Sequence, residues 1–355
     1  MERFHNPTQR GVALITALLV IALVTAAAVA MASRQQLDIR RTANTLQRDQ
    51  AYVYALGAEI MARAVLAKDN PAVDDKEEDW GKSGVTIPFD GGLLTGTLED
   101  VQGRFNLNNV VKNGAKYKED FERLTRLLTI LQAKNPDKED WKNVQPSDLA
   151  NAVVDWIDTD TTVTLPGGAE DSDYLQKERP YRAANAPMTS TSELLLVRGF
   201  TPVIYRDLAP YVTALAERTK INVNTARFDV LRTLDKNDTC VEVAKLGRED
   251  VASPVSATTD TAKTTPVKID SVGKFISTVG CKFTEFTLPG TPQPSAGQLP
   301  LEKPEDVLSV NTNYFQVNAY AEVGPEDHRV KVKLYSVLQR KPGKIATLSR
   351  AQGFE

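Results

Sequence analysis

Twenty residues, Asp155–Tyr174 (DWIDTDTTVTLPGGAEDSDY), hold Asp155, Asp158, Asp160, Glu170, Asp171 and Asp173, and fold back on themselves at Pro166-Gly167-Gly168. A turn of that kind brings two acidic groups toward one point. Hard oxygen donors at this density suit calcium, which accepts roughly six to eight of them in a flexible shell. The spacing lacks the alternating acids, mid-loop glycine and terminal glutamate of an EF-hand. Carboxylates this close repel unless a cation or water separates them, and a solvated acidic loop is the alternative reading.

Little else in the chain carries chemistry. The two histidines are His5, ahead of a long apolar run, and His328 in the charged turn GPEDHRVK, so zinc sites and imidazole triads lack their parts. There is no Gly-rich phosphate loop and no GxSxG elbow. These absences point to a non-enzymatic protein. Cys240 and Cys281 are the whole thiol complement and form no CxxC pair. Outside the cytoplasm they can pair across a loop of about 40 residues, worth about 3–4 kcal/mol in the chain-entropy account; two free buried thiols are the alternative. A net charge of −3 over 355 residues argues against a phosphate-tracking surface.

Helices flank the acidic segment. Phe121, Leu124, Leu127, Leu128 and Leu131 share one face of a helix over Lys118–Lys134, and another starts at Pro146-Ser147-Asp148 and carries Leu149, Val153, Val154 and Ile157. Before them, Gly84–Phe89, Leu93–Asp100 and Arg104–Leu107 read as short strands. After them, Ser192-Glu193 and Gly199 mark a helical hairpin, and Asn224 or Thr225 is placed to cap a helix bearing Phe228, Val230 and Leu231. Ala252–Pro300 is rich in Thr, Ser, Pro and Gly. Tyr314–Val323 and Arg329–Gln339 alternate as a hairpin expected to rejoin the first strands.

The positioning elements begin with an uncharged run, Val12–Ala32, whose polar side chains are Thr16 and Thr25 alone. At about 1.5 Å per residue this helix reaches roughly 30 Å, one hydrocarbon thickness, and it is too long for a cleaved secretory signal. Helical sequence continues through Ser33–Asp69, with Leu37, Val53, Leu56 and Ile60 among the apolar residues of a packing face. Beyond Pro71 the acid run DDKEED reads as a solvated loop.

The short leader closed by Arg10-Gly11, followed at once by the apolar run, resembles a type IV prepilin leader. That likeness implies cleavage after Gly11 by a prepilin peptidase, leaving Val12 as a methylated new terminus still anchored in inner-membrane lipid. Most pilins carry a glutamate at the fifth mature position; here it is Thr16. DVQGRFNLNNVV at Asp100–Val111, AVVDWIDTD at Ala152–Asp160, GGAEDSDY at Gly167–Tyr174, PYRAANAP at Pro180–Pro187, TSELLLVRGF at Thr191–Phe200 and INVNTA at Ile221–Ala226 resemble the K-type minor pseudopilin family of type II secretion systems over essentially the whole chain.

The resemblance implies an α+β fold: a pilin-like N-terminal long helix packed on an antiparallel sheet, interrupted by a large helical insertion domain. It divides the chain into a leader (1–11), a transmembrane and stem helix (12–69), a first β part (70–110), a helical insertion with the acidic loop (111–220), a second helical segment with Ser/Thr/Pro-rich loops (221–309) and C-terminal strands (310–355). It implies calcium held by Asp158, Asp160, Glu170, Asp171 and Asp173, with Asn185 a weaker candidate. Its expected partners are the I- and J-type minor pseudopilins, meeting the stem at Leu37, Val53, Leu56 and Ile60, and other secretion-system subunits. The expected role is to initiate and cap the pseudopilus, with the body in the periplasm. A membrane-anchored adaptor outside any filament is the alternative. INVNTARFDVLRTL also resembles half of a helix-hairpin-helix module, but DKND stands where its Gly-apolar-Gly turn belongs, so no nucleic-acid partner is expected.

Overall fold

The computed structural model describes residues 8–82, 84–236, 268–279 and 302–353. Cys240 and Cys281, and with them the disulfide reading, lie outside the described residues. A single helix, α1 (Thr8–Lys68), runs for 61 residues and passes through the Gly11–Val12 junction. Its apolar first half stands clear of the body, with Leu14, Leu18 and Leu23 all well exposed. Among the described residues it is the one helix long and apolar enough to cross a membrane. The hydroxyl of Thr16 donates to the carbonyl of Ala13 at 3.0 Å and that of Thr25 to the carbonyl of Ile21 at 2.8 Å. Neither threonine therefore leaves an open polar group in the apolar stretch.

After α1 the chain forms the hairpin β1 (Val85–Phe89) and β2 (Gly92–Asp100), then leaves the sheet. The insertion starts with β3 (Phe105–Asn106), a 3-10 turn at Leu107–Val110 and the small hairpin β4 (Val111–Lys112) and β5 (Ala115–Lys116). Helices α2 (Lys118–Lys134), α3 (Glu139–Lys142), α4 (Pro146–Ile157), α5 (Asp171–Tyr174) and α6 (Pro202–Leu208) follow. Next come β6 (Val212–Thr213), β7 (Ile221–Asn222), α7 (Phe228–Arg232), α8 (Val272–Val279), α9 (Pro304–Val307) and β8 (Leu308–Ser309). The chain then returns to the sheet as β9 (Tyr314–Val323), β10 (Val330–Lys341) and β11 (Lys344–Gly353). The antiparallel order is β1-β2-β9-β10-β11.

Two strand expectations change. Arg104–Leu107 was expected among the strands of the first β part, but only Phe105–Asn106 is extended, and it pairs in parallel with β6. Phe105, Leu107 and Val110 pack with Leu124, Leu128 and Trp141 in the core of the insertion, so the insertion begins before residue 111. Strand β11 lies within the expected C-terminal strands (310–355) but has no strand assigned to it by pattern: most of its residues are exposed, which erases the alternation that marks a half-buried strand.

The asparagines of the family-like motifs act as staples. Asn106 donates to the carbonyl of Leu215 at 3.1 Å, Asn108 to that of Met188 at 2.9 Å and Asn109 to that of Thr219 at 2.8 Å. Asn222 and Thr225 both donate to a buried oxygen of Asp100, at 2.8 and 2.6 Å, and Asn224 donates to the carbonyl of Ile269 at 2.8 Å. The capping role expected of Asn224 or Thr225 is thereby corrected: α7 starts after Arg227, because Thr225 is used to join the insertion to β2 and Asn224 to hold the backbone of Ile269.

The face of α1 that meets the sheet is built from small residues. Ala51, Ala55 and Ala58 lie against Leu94, Ala319, Ala321 and Leu334, and Ala62 and Leu66 continue onto Trp80, Phe315 and Leu338. Alanine keeps helix propensity high while letting the helix approach the strands closely. One acid lies within this seam: buried Glu59 accepts from Ser336 Oγ (2.8 Å), Thr347 Oγ1 (2.6 Å) and Arg350 Nε (2.7 Å). The Arg350 hydrogen bond, with those from the two hydroxyls, outweighs burial and holds its carboxyl down to about 2.

The larger apolar residues point the other way. Ile60 follows Ala51 by nine residues, about two and a half turns, so it faces away from the sheet. Ile39, Leu46, Val53 and Ile60, seven apart, are 60%, 64%, 64% and 65% exposed. Leu37 is also exposed. Leu56, expected on the partner face, is half-buried against the sheet-facing cluster.

Candidate metal centre

Helix α4 delivers the first acids. Pro146 opens it and Asp158 closes it in extended conformation, turning the chain out of the helix. Asp155, one turn earlier, is wholly buried and accepts the Thr164 amide at 3.0 Å, pinning the returning strand of the loop. Pro166-Gly167-Gly168 then reverses direction, and the Asn151 amide donates to the carbonyl of Pro166 at 2.8 Å. A Cβ on Gly168 would lie 2.2 Å from Asp155 Oδ2 and 2.3 Å from the carbonyl of Thr164, and Gly167 has φ +80. Only glycines allow this close return, and it places Glu170 beside the end of α4.

Of the acids expected as ligands, Asp158, Asp160 and Glu170 converge, each offering an oxygen within 4.8 Å of the others. Asp158 and Glu170 are buried; Asp160 is exposed. Asp158 Oδ1 is buried with no hydrogen-bond partner, and the buried Glu170 carboxylate meets only the amides at the start of α5, without a close hydrogen bond. Asn185 joins them: it has φ +44, its Nδ2 donates to the carbonyl of Asp160 at 2.9 Å, and its buried Oδ1 likewise lacks a partner. Asp171 and Asp173 turn elsewhere. Asp171 accepts the Ala183 amide at 2.9 Å, and Asp173 pairs with Arg198 at 2.9 Å.

Electrostatics agree with the geometry. Burial, with Asp160 and Asp155 beside it, pushes the Asp158 carboxyl up to about 7. Burial, with Asp155 and Asp158 nearby, pushes Glu170 up to about 7 as well. Carboxylates held so far above their ordinary range are short of positive charge. Converging carboxylates of Asp158, Asp160 and Glu170, with underpaired buried oxygens among them, fit a hard, oxygen-seeking divalent cation.

Against known proteins, a family model described as type II secretion system (T2SS), protein K, matches residues 103–217. The chain is 32% identical to type II secretion system protein K of Aeromonas hydrophila over 97% of each chain. To the protein of that name in Pseudomonas aeruginosa it is 35% identical, over 97% of this chain and 93% of the relative. It belongs to the type II secretion system protein K family. Its fold is similar to that of a chain in the crystal structure of the GspK-GspI-GspJ complex from the enterotoxigenic Escherichia coli Type 2 Secretion System, with TM-score 0.64 and 23% identity, covering 89% of this chain and 100% of that one.

Within this protein K chain the acidic run after the stem departs from the solvated loop expected of it. Asp74 is wholly buried and Asp75 nearly so. Asp69, Asp74 and Glu78 form a second group whose oxygens lie within 4.8 Å of one another. Sequence reasoning missed it because proline and clustered acids signal exposure, and the burial comes from segments 148 to 266 residues away. The one available signal was the position of these acids just past the C-terminus of a long helix, where cations are favoured.

Proposed function

We propose that this chain is the minor pseudopilin that initiates and caps the pseudopilus of its type II secretion system. The observation that carries this is Thr16. A glutamate there would need a partner above it, because an unpaired carboxylate in hydrocarbon is expensive; the threonine satisfies itself on its own helix and asks for nothing above. A subunit lacking that demand starts a fibre instead of extending one, and a body of this size fits at a tip better than repeated along a thin shaft.

In this reading a prepilin peptidase cuts after Gly11 on the cytoplasmic side. The Val12 terminus is methylated, the helix from Val12 to Ala32 stays in the inner membrane and the body lies in the periplasm. The partners are the I- and J-type minor pseudopilins, the counterparts of those that accompany GspK in the similar complex, and their stems pack on the exposed Ile39–Leu46–Val53–Ile60 stripe. Calcium held by Asp158, Asp160, Glu170 and Asn185 stiffens the turn between α4 and α5, and Asp155 and Asp173 position that turn. Mass analysis of the mature N-terminus, in cells with and without the peptidase, tests the first step: the product should begin at Val12 only when the enzyme is present. Labelled copies spread evenly along filaments would overturn the tip assignment.

A further inference from the structure

A second cluster lies at the far end of the stem, and its parts come from four regions of the chain. Asp69 directly follows the last turn of α1. Asp74 sits in the next loop, whose backbone is stitched to the β8–β9 link: the Asp74 amide donates to the carbonyl of Val310 at 2.9 Å, and the Thr312 amide donates to Asp74 Oδ2 at 2.8 Å. The insertion adds Asn222, whose Nδ2 donates to the carbonyl of Asp74 at 3.1 Å. From β10 comes Arg340, which pairs with Asp69 at 2.8 Å and with Asp74 Oδ2.

Two observations point to a missing ligand. Asp74 Oδ1 is buried with no hydrogen-bond partner, on a residue that is 0% exposed. Second, Asp69, Asp74 and Glu78 each bring a carboxylate oxygen within 4.8 Å of the others, with Arg340 pairing Asp69 and Asp74 and Lys268 pairing Glu78 among the described residues. The C-terminal carbonyls of α1, unpaired within the helix and at the negative end of its dipole, immediately precede Asp69 in the chain. Burial pushes the Asp74 carboxyl up to about 6 even with Arg340 in contact.

We infer that Asp69, Asp74 and Glu78 hold a divalent cation of the calcium type, at a site separate from the one at the end of α4, which clamps the stem helix to the sheet and the insertion. The inference does not depend on the pseudopilus reading. Carboxylates, helix-end carbonyls and water are the ligands such an ion takes. Its consequence is mechanical: force along α1 passes through this junction to both halves of the body.

Trp80 makes the site measurable, because its Nε1 donates to Glu78 Oε2 at 2.9 Å and would sensitise a lanthanide bound beside it. Chelator-stripped full-length protein in detergent, carrying D158N and E170Q to silence the other centre, is titrated with terbium under tryptophan excitation. The expected result is saturable emission that calcium displaces. W80F should remove that emission while equilibrium dialysis still finds the ion. E78Q, which leaves both Arg340 pairs in place, should lose the ion yet retain the apo melting temperature; D69N serves as a second variant. Absence of saturable emission, or emission and binding that persist in both E78Q and D69N, overturns the inference. Should the first centre bind nothing, wild type and the D158N/E170Q protein titrate alike and this outcome is still read directly.

Discussion

At the scale of single residues, the centre between α4 and α5 is defined by oxygens short of donors. Asp158 Oδ1 and Asn185 Oδ1 are buried without partners and Glu170 has only the amides of its own turn, an arrangement that costs free energy until a cation enters. Wild type should therefore gain stability with calcium, by about 2.7 kcal/mol when the ion is at a hundred times its dissociation constant. The D158N/E170Q protein should lose this share of the gain and keep only what the cluster at the end of the stem supplies, and its apo form should melt no lower than wild type, since two underpaired carboxyls are gone. Differential scanning calorimetry with and without the ion checks both. Equal melting of wild type in calcium and in chelator would end the metal assignment. The sequence already held the acids and the reversing glycines; it could not say which acids point inward. Asp171 and Asp173 are carboxylates beside Glu170 in the same acidic run, but the Ala183 amide and Arg198 take them.

At the scale of elements, α1 has two faces with different duties, and each supports a prediction. On the sheet side, Glu59 joins the helix to β10 and β11. Its carboxyl lies at about 2, below the ordinary value near 4, so the stability it contributes is present above about pH 4 and is lost as pH falls through about 2. The E59Q protein should be less stable at neutral pH by about 2 kcal/mol, a figure below that of a fully buried pair because Arg350 is partly exposed. The gap between the two proteins should close on acidification, as acid titration of the unfolding midpoint will reveal. On the outer side, V53K and I60K touch exposed positions and should change stability by no more than about 0.5 kcal/mol. Both should nevertheless abolish co-purification with the I- and J-type partners. Helix periodicity made this stem legible as amphipathic, but the sheet takes the alanines and leaves the larger side chains outside, so Leu56 and Val53, read together, part company.

At the scale of the whole molecule, a pilin-like sheet is split by an insertion and closed by strands from the other end of the chain, and buried asparagines fasten the two parts. If the absence of a carboxylate in the anchor is what makes this subunit first in the fibre, T16E should restore demand for a partner above it. Secretion and pseudopilus length in cells carrying T16E as the sole copy should fall, while the level and melting of the protein stay the same. Unchanged assembly would remove Thr16 from the mechanism.

The sequence by itself determined what depends on local pattern: a membrane-length apolar helix, the strands read at Tyr314–Val323 and Arg329–Gln339 with their polar turn, a helix over Lys118–Lys134 and another starting at Pro146, and a dense acidic loop. Side-chain periodicity and backbone chemistry act within a few residues, so these features are written locally. Only the tertiary structure decided which acids lose their water, which face of the stem remains open, and that β11 exists. Each of those depends on what another segment, far away in the chain, brings against it. Asp74 is the clearest case: its neighbours in sequence mark an exposed loop, and Thr312, Asn222 and Arg340 bury it.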